Sequence, residues 1–165
     1  MGDEPYAAIA GGIFQLISTA AARKRIFALR AEKEERSDLA ILLRAMAASE
    51  QAQAQRILFL LRGIVGTTAE NVAEILEIEL PRVQKLFRLL DGEGARLGMV
   101  SLRHLAAQET KVGKKSAALL QKRLVDQGRA ATYHVCSFCG YLHEDEAPEV
   151  CPVCQAPRKR FRRID

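Results

Sequence analysis

Apolar residues recur at helical spacing through most of the chain, and the pattern predicts four long helices before it changes character near residue 131. Ile9, Ile13, Leu16, Ile17, Ala20, Phe27 and Ala31 mark a first helix reaching about Glu35. Ser37 and Asp38 suit the N-terminal cap of a second. Its stripe runs Leu39, Leu42, Leu43, Met46, Ala47, Ala54, Ile57, Leu58 and Leu61, and it ends near Gly63 and Gly66. Thr67 or Thr68, with Glu70 in the first turn, caps a third helix. That helix carries Val72, Ile75, Leu76, Val83, Leu86, Phe87 and Leu90, and Pro81 divides it into a short and a longer piece. Asp91–Gly94 reads as a tight connection, after which Leu102, Leu105, Val112, Leu119 and Leu124 define a fourth helix ending by Gly128. Long amphipathic helices joined by short connections predict a mainly α protein, with a four-helix bundle over residues 1–130.

Residues 131–165 form the second predicted domain. They show no amphipathic helix and hold Tyr133, Phe138, Tyr141 and Phe161 together with Pro148, Pro152 and Pro157. A segment of about 35 residues cannot bury enough surface to fold alone, so it needs an internal staple. Cys136, Cys139, Cys151 and Cys154 supply one, as two C-x2-C pairs; the first 130 residues contain no cysteine. A secreted disulfide framework would spread its cysteines along the chain. Their clustering instead predicts a reducing, cytoplasmic setting and a metal site. Each pair can wrap a turn with both thiolates aimed at one ion, and two turns complete a tetrahedral sulfur site. Spacing alone leaves Zn(II) and a single Fe(II/III) both open. Gly140 follows the first pair and would let backbone amides turn toward the sulfurs; Gln155 stands at the equivalent place after the second.

Composition narrows the function classes. The 165 residues are 48% apolar and 27% charged, with a net charge of +5 that is too small to imply nucleic acid. The basic tail Arg158–Arg163 reads as a solvated chain end, and Lys111, Lys114 and Lys115 as the outer face of the fourth helix. The uncharged stretch Tyr6–Ala22 is 17 residues long, short of a membrane span, and the acidic Asp3 and Glu4 precede it where an export signal would be basic. It reads as a buried helix. His104, His134 and His143 are expected to be ordinary histidines, because four thiolates already complete a ligand set. There is no phosphate-binding glycine loop, nucleotide fingerprint or serine nucleophile context.

Tyr133–Tyr141, Ala147–Cys154, Pro157 and Phe161 together resemble the C-terminal rubredoxin-like domain of rubrerythrins. The resemblance continues upstream through Phe27-Ala28, Ala31-Glu32, Leu39-Ala40, Arg44-Ala45, Glu50 and Gly66–Asn71. It implies a ferritin-like four-helix bundle followed by a rubredoxin-like domain, iron rather than zinc at the four cysteines, and a carboxylate-bridged di-iron centre in the bundle. Glu50, Glu79 and Glu109 lie in the apolar stripes of helices two, three and four, as such a centre requires. The other expected ligands are missing. Ile17 stands at the first carboxylate, Gln53 and Val112 at the histidines, and Arg82 at a further carboxylate. The expectation is therefore a bundle without a di-iron centre, in which Arg82, one turn from Glu79, supplies positive charge in place of metal.

The function expected is one-electron transfer through a mononuclear iron held by Cys136, Cys139, Cys151 and Cys154, with no catalytic residue. The alternatives are a rubrerythrin-type peroxidase with a modified bundle metal site, and a zinc-ribbon interaction module. The expected partners are a redox protein and a second copy of the chain, with neither membrane nor nucleic acid.

Overall fold

The computed structural model describes residues 4–62, 65–126 and 131–164. They form two compact units that divide at residues 66 and 67.

The first unit is a helical hairpin of α1 (Glu4–Lys33) and α2 (Ser37–Arg62). Its turn is closed by the Arg36 amide donating to the Ala31 carbonyl at 2.9 Å, with Glu35 in the left-handed region at φ 59°. The seam between the helices is made of small residues at heptad spacing. Ala21, Ala28 and Ala31 on α1, and Ala40, Ala47 and Ala54 on α2, are all buried. Alanines at alternate core positions let two helices approach more closely than leucines would. Ala28, Ala31 and Ala40 cluster together with Leu43. The large apolar residues of the predicted stripes lie beside this seam rather than in it: Ile9, Ile13, Leu16, Phe27, Leu39, Leu42 and Met46 are all exposed. Tyr6–Ala22 is thus helical as expected, with Ala10 and Ala21 buried and Phe14 and Ile17 half-buried.

The second unit begins with α3 (Thr68–Glu74), whose cap is Thr67. The Glu70 amide donates to Thr67 Oγ1, and the Thr67 amide donates at 2.7 Å to the Glu70 carboxylate, making a reciprocal capping box. The Thr67 amide and hydroxyl also hold the Glu70 carboxyl below its ordinary range. A group so depressed contributes to folding at neutral pH and loses that contribution as pH falls through its folded value. A π-helical turn, Ile75–Glu79, then leads into α4 (Leu80–Arg96). Pro81 lies in the first turn of α4, directly after the wider π turn, and the backbone passes from one to the other in helical dihedrals. The predicted division of this segment is therefore present.

The predicted turn at Asp91–Gly94 is not. α4 runs through it to Arg96, and the chain reverses over Leu97–Met99 with Gly98 at φ 67°. Packing explains the glycine: a Cβ on Gly94 would meet Arg103 Cγ at 2.8 Å and the Arg103 amide nitrogen at 3.2 Å on the next helix. Gly94 marks a close approach of helices rather than a break. α5 (Val100–Val125) returns along α4, with the buried Ala106 on its inner side. Gly128, the predicted end of this helix, lies outside the described residues, as does Gly63 at the predicted end of α2. The four long helices expected from the sequence are α1, α2, α4 and α5.

Three short strands complete the unit: β1 (Tyr133–Cys136), β2 (Leu142–Glu144) and β3 (Phe161–Ile164). They form an antiparallel sheet in the order β2-β1-β3, with His134 opposite both His143 and Arg163. The basic tail is therefore not a loose end. Its backbone forms a 3-10 turn over Arg158–Arg160 and then strand β3, while Arg162 and Arg163 remain exposed. Among the described residues, no helix is long and apolar enough to cross a membrane.

Candidate metal centre

The two C-x2-C segments fold as matching turns. In the first, the Cys136 amide donates to the Tyr141 carbonyl and the Gly140 amide donates to the Cys136 carbonyl, both at 2.9 Å. In the second, the Cys151 amide donates to Ala156 at 2.8 Å and the Gln155 amide donates to Cys151 at 2.9 Å. Gly140 (φ 75°) and Gln155 (φ 62°) hold the same left-handed position in each turn. Glycine adopts it freely, whereas a side chain there costs on the order of 1–2 kcal/mol. Gln155→Gly is accordingly expected to stabilise the metal-loaded domain by about 1 kcal/mol, read as a higher denaturation midpoint with the metal content unchanged.

These turns bring four sulfurs together. Cys136 Sγ lies 3.7 Å from Cys154 Sγ, and Cys139 Sγ lies 3.6 Å from Cys151 Sγ. All four lie within 4.8 Å of one another. A tetrahedral ion with metal–sulfur bonds of about 2.3 Å needs sulfurs about 3.8 Å apart. The sulfurs thus already stand near tetrahedral separation, and the donor set suits a single soft or borderline ion. Cys136, Cys139 and Cys151 are buried and Cys154 is partly exposed. Around them pack Tyr141, Val153, Ala156 and Phe161, so the thiols themselves are the centre of this small core.

The thiols differ electrostatically. Burial pushes the Cys139 thiol well above its ordinary range, and the neighbouring cysteines add to the rise. Burial likewise raises Cys154. At Cys136 burial acts in the same direction, but the Cys139 and Phe138 amides directed at its sulfur, together with the Cys154 and Cys139 thiols, offset it and leave the thiol lowered. Amides also reach Cys139 from Tyr141 and Cys154 from Ala156, repeating the relation in both turns. Such donors stabilise thiolate charge and tune a bound metal.

His134 and His143 stand outside the group of four sulfurs; a ring nitrogen of His134 lies 2.7 Å from the Asp145 carbonyl oxygen. Two features near the cluster escaped sequence reasoning. Phe138, inside the first pair, is 72% exposed and gives the centre an apolar tip. Glu144 on β2 is drawn to the last turn of α5, where Lys122 donates to it at 2.6 Å and Arg123 donates to its other oxygen. Arg123 also donates to the Tyr133 hydroxyl at 2.5 Å and sits 5.6 Å over that ring. The basic pair Lys122-Arg123 and the acidic run Glu144–Glu146 were the available signals.

The bundle glutamates are placed differently. Glu50 and Glu109 are partly buried, while Glu79 and Arg82 are exposed. Among the described residues, the only cluster able to gather three or more metal-ligating side chains is the four cysteines. Arg82 is exposed rather than turned inward. The cation found is Lys24 on α1, whose Nζ lies 2.5 Å from Glu50 Oε1. Lys24 is seven residues after Ile17 and seven before Ala31, so its place on the inner stripe of α1 was readable.

Comparison with known proteins agrees with this architecture. Residues 134–162 match the family model described as rubrerythrin, rubredoxin-like domain. Among solved structures, the mixed-valence state of nigerythrin is similar with a TM-score of 0.54 and 18% identity, covering 96% of this chain and 86% of that one. The partially reduced state of nigerythrin gives a TM-score of 0.51 at 18% identity, and the fully reduced, all-ferrous state gives 0.50 at 17%, with the same coverage of 96% and 86%. Similarity at this identity shows a shared fold. No curated protein sequence matches the chain.

Proposed function

We propose that this chain, with a rubrerythrin-type rubredoxin-like domain in a nigerythrin-like fold, is a one-electron carrier. In this reading Cys136, Cys139, Cys151 and Cys154 hold a single iron, and the helical region works without a di-iron centre. The domain boundary in the proposal lies between residues 130 and 131. The observation that carries it is the gathering of the four sulfurs at near-tetrahedral separation.

The donor set accepts zinc as readily as iron. What favours iron is the match to the rubrerythrin type of domain and the all-ferrous description of the fully reduced nigerythrin structure. Bound iron supplies a change of one electron between ferrous and ferric states. The chain does the rest. Four thiolates would hold the ion and leave the site a net negative charge, which amides of both turns would offset, and burial of three sulfurs keeps water from most of the centre. The partly exposed Cys154 and the exposed Phe138 and Val150 offer an outlet toward a redox partner with an apolar contact surface. Large apolar residues left uncovered on both hairpins, such as Ile13, Leu16, Leu86 and Leu105, support a second copy as a further partner. A reducing setting such as the cytoplasm would keep the four thiols from pairing.

A reductive titration followed in visible light tests the reading. The oxidised protein is expected to be red, to bleach on uptake of a single electron per chain, and to leave peroxide unconsumed when given an electron donor. A colourless, zinc-loaded protein would support the interaction module instead, and donor-dependent loss of peroxide would support the peroxidase.

A further inference from the structure

We propose that Lys24 is a built-in counter-ion for Glu50, taking the place of metal in the α1–α2 hairpin, so that the hairpin folds without metal. Both side chains face the seam and are largely buried, with 19% of Lys24 and 21% of Glu50 left exposed. A carboxylate so placed is costly unless a cation or hydrogen-bond donors compensate it. Glu50 Oε2 is buried and has no hydrogen-bond partner among the described residues, so compensation falls on the Oε1 contact with Lys24.

The surroundings of the pair disfavour a metal ion. One turn along α2, a cavity of about 450 Å³ is lined by Ile17, Gln53, Arg56, Ile57 and Leu60. In the rubrerythrin pattern, Ile17 and Gln53 occupy the positions of a carboxylate and an imidazole. Here they offer a methyl-rich wall and a neutral amide, and Arg56 adds a guanidinium that repels a divalent cation. The ammonium of Lys24 is tethered to the fold, so its positive charge costs no binding equilibrium and cannot be removed by a chelator. The cation also lies across the seam from its carboxylate, which makes it a clasp between two helices whose other seam residues are mostly alanine.

This inference rests on the reading of the helical region as metal-free, but not on the identity of the ion at the cysteines. A zinc-loaded chain would defeat the electron-transfer proposal and leave the following test unchanged. Thermal unfolding of the helices is followed by circular dichroism on the full-length, metal-loaded chain, in a mild chelator that leaves the thiolate-bound ion in place and in manganese at about 1 mM. The wild-type midpoint is expected to be the same in both. Lys24→Met should melt about 5 °C lower, and Lys24→Met combined with Glu50→Gln should recover most of the loss. Lys24→Glu sets two carboxylates across the seam; it should melt lower still in chelator and rise when manganese is added. The inference is overturned if manganese raises the wild-type midpoint, if Lys24→Met melts like wild type, or if manganese fails to raise a folded Lys24→Glu. Should Lys24→Glu not fold in chelator, the Lys24→Met and double-variant comparison decides alone.

Discussion

Replacing Cys151 with alanine is expected to unfold residues 133–164 while leaving α1 and α2 intact. Cys151 is fully buried, and its sulfur lies 3.6 Å from that of Cys139 at the centre of a core built from thiols. No large aliphatic cluster stands behind it: the side chains packed on the cysteines are Tyr141, Val153, Ala156 and Phe161. Strands of four, three and four residues cannot hold a sheet together by themselves. A bound ion would therefore carry the domain, and structural zinc sites in small domains contribute on the order of 10–16 kcal/mol to folding. Losing one ligand removes much of that. Hydrogen exchange read by mass spectrometry should show loss of protection across β1, β2 and β3, with protection in α1 and α2 unchanged. Protection of the sheet at wild-type level would mean that the packing of Tyr141 and Phe161 suffices without the fourth sulfur.

Ala47→Leu is expected to have the largest effect of any single change in the first hairpin. Ala47 has no exposed surface and lies on the seam face of α2, seven residues from both Ala40 and Ala54. Three added carbons have no room where two helices meet through alanine. The helices must part, or the leucine must adopt a strained rotamer, at a cost of about 1–3 kcal/mol or more. The cross-seam contacts Lys24–Glu50, Arg25–Gln51 and Arg44–Glu32 would be loosened together. Helical unfolding in denaturant should show a lowered midpoint. Leu42→Ala, on the exposed flank of the same helix, is the control and should change it much less.

These two sites also show what the sequence made legible. The four-cysteine site could be read because its chemistry is local: each C-x2-C segment is a single turn, and only the meeting of the two turns depends on the rest of the fold. The helices could be read from periodicity, and the Thr67 cap from its partner three residues on. The hairpin seam was only partly legible because alanine gives little hydrophobic signal: Ala31, Ala47 and Ala54 fall in the expected stripes, whereas leucines and isoleucines at neighbouring positions drew them away from Ala21, Ala28 and Ala40. Gly94 was misread for a related reason. Glycine in sequence suggests a turn, but here the absence of a side chain serves close packing against Arg103. Lys24 was overlooked because it sits in the run Arg23-Lys24-Arg25, which looks like a solvated basic patch until helical phase separates its members. Arg23 and Arg25 are exposed, and Lys24 turns to Glu50.

The most direct test of the account is the metal content of the freshly purified chain, measured together with its visible spectrum. The account predicts about one iron per chain with the absorption of ferric iron bound by thiolates. About three irons per chain would contradict it by restoring a two-iron centre among the helices, and about one zinc with no visible band would contradict it at the cysteines.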